Sequence, residues 1–162
     1  MKIKTIMFED DGSIPNNPRL PLLIYEKALK SKDRFEATLL DHGWSGTWVN
    51  GVYNYHHYHS TSHEVLGVIS GHAEVLFGGK NGKAVSVKHG DVVVIPAGVG
   101  HKCIEKSRDF QVMGAYPDHQ EMDMCTGKED ERPSALKNIQ NVPLPENDPL
   151  FGKDGPMFDY WK

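Results

Sequence analysis

The sequence predicts an all-β chain: a β-sandwich or barrel of short strands, introduced by a short helical segment and followed by an extended proline-rich arm. Three observations carry this. Seven short strand-like runs separated by glycine turns fill residues 48–116. Nine of the ten prolines lie outside residues 22–116, and only Pro96 falls within. Proline removes a ladder donor, so the sheet is confined to the middle of the chain. Two segments ahead of the strands space their apolar residues as a helix does.

The chain therefore reads as a single domain over residues 1–162, with an N-terminal arm and helices (1–47), a barrel core (48–116) and a C-terminal arm (117–162). The helical segments are LLIYEKALK (22–30) and DRFEATLLDHG (33–43), the second with Asp33 as its N-cap, Glu36 three residues on and Gly43 as its stop. The strand runs are GVYNYHHYH, EVLGVIS, HAEVLF, KAVSVK, DVVVIP, HKCIEK and DFQVMGAY. In the tail, Leu144, Leu150, Phe151, Met157, Phe158, Tyr160 and Trp161 are too many apolar anchors for a free segment, so an ordered arm laid over the core is expected.

Composition excludes several classes. A net charge of −4 and a pI near 6.1 leave no basic footprint for nucleic acid. No apolar run approaches the ~18 residues of a membrane span, and residues 1–30 lack a signal-peptide core. A cytoplasmic protein is the expectation, with Cys103 and Cys125 as two free thiols rather than a disulfide.

The run HHYHSTSHE (56–64) holds four of the nine histidines. Alternation along a strand puts Tyr53, Tyr55, His57 and His59 on one face and His56 on the other. His57 and His59 then present their rings to one ion, and His56 does not. His63 and Glu64 open the next strand on opposite faces, so only one of them points at the ion. His42, His72, His89 and His119 read as surface residues, as does His56.

The spacing is specific. Gly51, five residues, His57-x-His59, four residues, Glu64, six residues and Gly71 are followed after 18 residues by Gly90, five residues, Pro96-x-Gly98, two residues and His101. These two motifs resemble those of the cupin superfamily, and IPNNPRLPLLIY, HHYHSTSHEVLGV and GDVVVIPAGVGH together with the tail are similar to the YjlB-like bacterial cupins. The resemblance implies an antiparallel, double-sheet jelly-roll barrel enclosing one divalent transition metal on His57, His59, Glu64 and His101. His63 is the alternative to Glu64. Where the family's second motif usually ends in Asn, this chain has Glu105. Relatives of this kind commonly form homodimers, and sheet edges need cover, so a homodimer is expected, with the arms covering an edge or crossing to the partner.

Three imidazoles and a carboxylate suit Fe, Mn, Ni, Co or Zn, and four protein ligands leave open positions, as a catalytic site requires. The centre keeps a net positive charge, which favours an anionic or enediol chelate. The lumen face carries no Arg or Lys, so a small substrate of low charge is expected. Tyr53, Tyr55 and Glu105 are the candidate catalytic residues. Against them stand ordinary roles: stacked core tyrosines, and a strand-end ion pair for Glu105. Cys103 reads as a small buried hydrophobe. The function expected is a metal-dependent oxygenase or oxidoreductase acting on a small anionic or enediol-type metabolite. The alternatives are a metal-dependent isomerase, epimerase or lyase, and a non-catalytic metabolite- or metal-binding protein.

Overall fold

The computed structural model describes residues 1–162. Its strands are β1 (Lys2–Ile6), β2 (Leu22–Glu26), β3 (Trp44–Asn50), β4 (Glu64–Ser70), β5 (His72–Phe77), β6 (Lys83–Lys88), β7 (Val92–Ile95), β8 (His101–Lys106) and β9 (Gln111–Pro117). Helix α1 (Lys32–Asp41) lies between β2 and β3, and α2 (Arg132–Asn141) follows the last strand. All pairings are antiparallel. One sheet has the order β1-β2-β7-β4-β9-β3, the other β6-β5-β8.

Strand alternation explains two cores. Leu22, Ile24, Leu66, Val68, Val93 and Ile95 face the small sheet and pack with Val75, Phe77 and Cys103. Their neighbours Leu23, Tyr25, Val65, Val92 and Val94 face the other way and are covered by Phe35 and Leu39 of α1 and by Met157 and Trp161 of the arm. The middle of the larger sheet is thus buried on both faces, and β2 and β7 are continuous apolar runs.

That double burial corrects one expectation. Residues 22–30 are not a helix: LLIYE is β2, with Leu22, Leu23, Ile24 and Tyr25 all buried. A short apolar run buried on both faces has no period-2 signal to distinguish it from a helix. The second helix does form, but it starts one residue before Asp33. Ser31 is its N-cap, its side chain accepting from the Arg34 N–H, and the chain leaves through Gly43 at φ +74°.

Both arms are tied to the barrel by buried polar side chains. Asn16 donates to the carbonyls of Glu9 and Gly78 and accepts from the Gly100 N–H, while Asn17 donates to the Ala97 carbonyl. The N-terminal arm thereby fixes the loop that delivers His101. At the other end Asp148, 0% exposed, accepts from the Tyr25 hydroxyl at 2.6 Å and from the N–H groups of Leu150, Phe151 and Met157. The C-terminal arm lies across the outer face of its own sheet. Cys103 and Cys125 are buried free thiols. No helix is long and apolar enough to cross a membrane.

Candidate metal centre

Four buried polar side chains meet at one end of the barrel. Glu64 opens β4 on the same face as Leu66 and Val68, and pairs across to Ile95. His101 opens β8 on the face shared with Cys103. His57 and His59 come from the connection between β3 and β4, which is not a continuous strand. It forms isolated bridges at His57 and Tyr58, to His101 and Cys125, with single backbone hydrogen bonds from Cys103 to Tyr53 and from Gly98 to His59. Alternation holds there, so His57 and His59 turn inward, 4% and 5% exposed.

Donor atoms of His59, Glu64 and His101 all lie within 4.8 Å of one another. His57 stands beside them, its ring centroid 4.0 Å from that of His101. Each histidine uses Nδ1 on a backbone carbonyl: His57 on Tyr55 (3.1 Å), His101 on Val99 (3.1 Å) and His59 on Asp123. A carbonyl only accepts, so each Nδ1 carries the proton and each Nε2 is left with its lone pair. The Nε2 atoms of His59 and His101 both lie 3.3 Å from Oε1 of Glu64, and that oxygen has no hydrogen-bond partner.

Converging lone pairs repel unless a positive charge sits among them. Burial alone would raise the Glu64 carboxyl, but the His101 and His59 rings hold it well below the usual carboxylate range. Burial likewise opposes charge on His59, yet Glu64 outweighs it and raises that ring's pKa. His57 is driven the other way, to about 3, by burial and by the neighbouring His101. Glu64 is thus held as a carboxylate that draws positive charge to itself, whether a proton on a neighbouring ring or a bound cation.

His63 is placed elsewhere. It faces the outer core against Trp161, ring centroids 4.8 Å apart. Its Nδ1 accepts from the Ala97 N–H at 2.9 Å and its Nε2 donates to the Pro143 carbonyl at 3.1 Å. Both nitrogens are occupied, so no lone pair remains for an ion. His56 is half-buried, its pKa lowered by burial and then by Lys102, and it does not line the cavity.

Of the three candidate catalytic residues, Tyr53 and Tyr55 stand beside His57, ring centroids 5.2 and 5.7 Å from it, while Glu105 lies away from the donors. Tyr53 and Tyr55 are half-exposed and stacked on each other at 4.9 Å; Tyr53 lines the mouth of the cavity and Tyr55 backs it. Glu105 is exposed and lines a separate surface groove with Glu74 and Lys106. The cause is a bulge: Cys103 pairs with Val75 but Glu105 pairs with Glu74, so Ile104 is an extra residue and the alternation reverses after it.

Residues that sequence reasoning missed complete the cavity of about 260 Å³ above the donors: Trp48, Tyr116, Met122 and Met124. Tyr116 shares the inner face of β9 with Val112 and Gly114, so the period-2 rule extended from Val112 would have found it. Trp48 lies over Gly114, where a Cβ would overlap the indole, and its Nε1–H donates to the Tyr116 hydroxyl at 3.0 Å. Burial and the Glu64 carboxylate raise the Tyr116 pKa, so its phenol stays protonated and keeps a hydrogen to donate.

Asp123 joins the centre to the C-terminal arm. Its carbonyl orients His59, and its carboxylate accepts from the Ser60 N–H at 2.6 Å, the Ser60 hydroxyl and the Cys125 thiol. Asp123→Ala is expected to weaken metal affinity about tenfold by loosening the carbonyl that fixes His59, with Asp123→Asn restoring part of it. Equal affinity in competition against a chelator would show that the strap is not needed.

Comparison with known proteins gives the family. Residues 47–113 match the model of the family described as Cupin domain. Over 158 residues the chain is 49% identical to "Uncharacterized protein YjlB" of Bacillus subtilis (strain 168), covering 98% of this chain and 96% of that one. The chain belongs to the cupin family. Among solved structures, this cupin is similar to an acireductone dioxygenase from Bacillus anthracis with cadmium in its active center, at 21% identity and TM-score 0.37, covering 53% of this chain and 57% of that one. It is also similar to RmlC from Streptococcus suis in complex with dTDP-D-xylose, at 10% identity and TM-score 0.43, covering 100% and 94%.

Proposed function

We propose that this cupin is a metal-dependent oxidoreductase acting on a small anionic or enediol-type chelate. His57, His59, Glu64 and His101 would hold one divalent first-row transition ion. The observation that carries this is the orphaned Oε1 of Glu64, 2% exposed, facing two Nε2 lone pairs whose rings are locked by their Nδ1 hydrogen bonds. Nitrogen-rich sites with one carboxylate suit Fe, Mn, Co, Ni or Zn. When bound, such an ion supplies Lewis-acid polarisation and, for Fe or Mn, electron transfer.

The chain's own residues supply the rest. The cavity lining contains no Lys or Arg, so a phosphate ester would find no cationic side chain there. A carboxylate or enediolate of low charge suits the space of about 260 Å³, which is below the usual range of drug-sized sites. Tyr116, held by Trp48, would donate its proton in a hydrogen bond to a substrate oxygen. Trp48 and Leu66 exclude water on the inner side.

Protein purified without a metal-affinity column would be analysed for metal, then incubated with oxalate, pyruvate or catechol while dioxygen is followed. Near-stoichiometric Fe or Mn with chelate-dependent dioxygen uptake is expected. A centre that takes only Zn and turns nothing over would favour isomerase chemistry or a binding role.

A further inference from the structure

The cavity is two environments, not one. Its floor is the polar donor set, every member 5% exposed or less, while its rim is open and, Asn50 apart, largely apolar: Val49 38%, Tyr53 50%, Met122 38% and Met124 41% exposed. Single exposed apolar residues need no explanation, but four around one opening form a surface with a purpose. None of the rim side chains carries a charge.

The rim is also held in place. Tyr53 is stacked on Tyr55, interplanar angle 20°, and sets its edge against His57 at 5.2 Å. The segment Glu121–Cys125 runs beside the histidine loop with alternating side chains. The Glu121 carbonyl accepts from Thr61, Asp123 from Ser60, and Cys125 exchanges backbone hydrogen bonds with Tyr58 at 2.9 Å. The residues between them, Met122 and Met124, are left to line the cavity. Two flexible thioethers and an aromatic ring lining one opening make an adaptable apolar rim.

We infer that this rim is a substrate subsite, and that the ligand is amphipathic: a chelating acid or enediol head reaching the donors, joined to an apolar or aryl tail held between Tyr53 and the pair Met122 and Met124. The inference rests on the metal reading above and adds the tail to it. Tail and head are separate demands, so a head group alone leaves the rim in water. The cavity lining itself holds no cation; the Lys106 ammonium lies beside Gly51, 3.7 Å from where a Cβ would stand.

The test compares two ligands with one head group. Metal-loaded full-length protein and the metal-free protein are titrated with pyruvate and with phenylpyruvate, followed by heat and by the spectrum of the metal. Phenylpyruvate is expected to bind about tenfold tighter than pyruvate, a modest gain for a partly covered ring, and both are expected to need the metal. In Met122→Ser/Met124→Ser and in Tyr53→Ser that ratio should fall toward one, with metal content serving as the control for folding. Equal affinities for the two acids, or a ratio untouched by the variants, would overturn the subsite and leave the metal reading standing. Phenylpyruvate binding that ignores the metal would overturn the metal reading instead. No binding of either acid would overturn both.

Discussion

Deleting residues 143–162 is expected to abolish cooperative folding or to lower the melting temperature by roughly 20 °C. The arm carries Met157 and Trp161, 0% and 1% exposed, and partly buried Leu144, Leu150 and Phe158. Losing one large buried side chain costs about 2–5 kcal/mol, and a domain's whole stability is about 5–15 kcal/mol. A loss of about 7 kcal/mol corresponds to the stated shift at about 3 °C per kcal/mol for a chain of this size. Asp148→Ala is the finer version. It strips the acceptor from the Tyr25 hydroxyl and three N–H groups, each left unsatisfied at about 1–3 kcal/mol. An unchanged melting temperature for both variants would mean that the arm is not part of the core.

Two adjacent residues should fail in opposite ways. Glu64→Ala is expected to empty the metal centre while the barrel still folds, because it removes a buried charge together with its site. His63→Ala is expected to keep the metal and lose stability, since the Ala97 N–H and the Pro143 carbonyl lose their shared partner. His63 also gives a pH signature. Burial lowers its pKa from the ordinary value near 6.5 to about 4. The unfolded chain takes up a proton that the folded one refuses, so stability is lost as pH falls through that window, by up to about 3 kcal/mol. Denaturant titrations at pH 7 and pH 4.5 check it: the wild type should lose more than His63→Ala. An equal loss in both proteins would assign the pH dependence to other groups.

Much of this was legible in the residues, for physical reasons. Strands β4, β5 and β6, bounded by Gly71 and by the glycines at 78, 79 and 82, stand where their turn residues place them. Glu64 and His63 separate onto opposite faces because β4 begins at that pair and the side-chain period is two. What was illegible follows equally plainly. β2 is buried on both faces, so its pattern carries no alternation. β1, with Lys2 and Lys4 exposed, lacks an apolar face to announce it. Residues 51–56 read as strand, yet no regular ladder forms there, and Tyr53 and Tyr55 end half-exposed beside His57. The Ile104 bulge turned Glu105 away, and a bulge leaves no mark in apolar periodicity. Met122 and Met124 come to the site on an irregular segment after the last strand, where no periodicity assigns a face.

The central claim is that one cation is held by His57, His59, Glu64 and His101, and elemental analysis of four proteins tests it most directly. Wild type, His57→Ala, His101→Ala and His56→Ala would be loaded with the same metal, freed of excess and assayed for metal per chain. Close to one ion per chain is predicted for the wild type and for His56→Ala, with stoichiometric metal lost in the other two. An empty site in His56→Ala, or a full one in His101→Ala, would contradict the assignment.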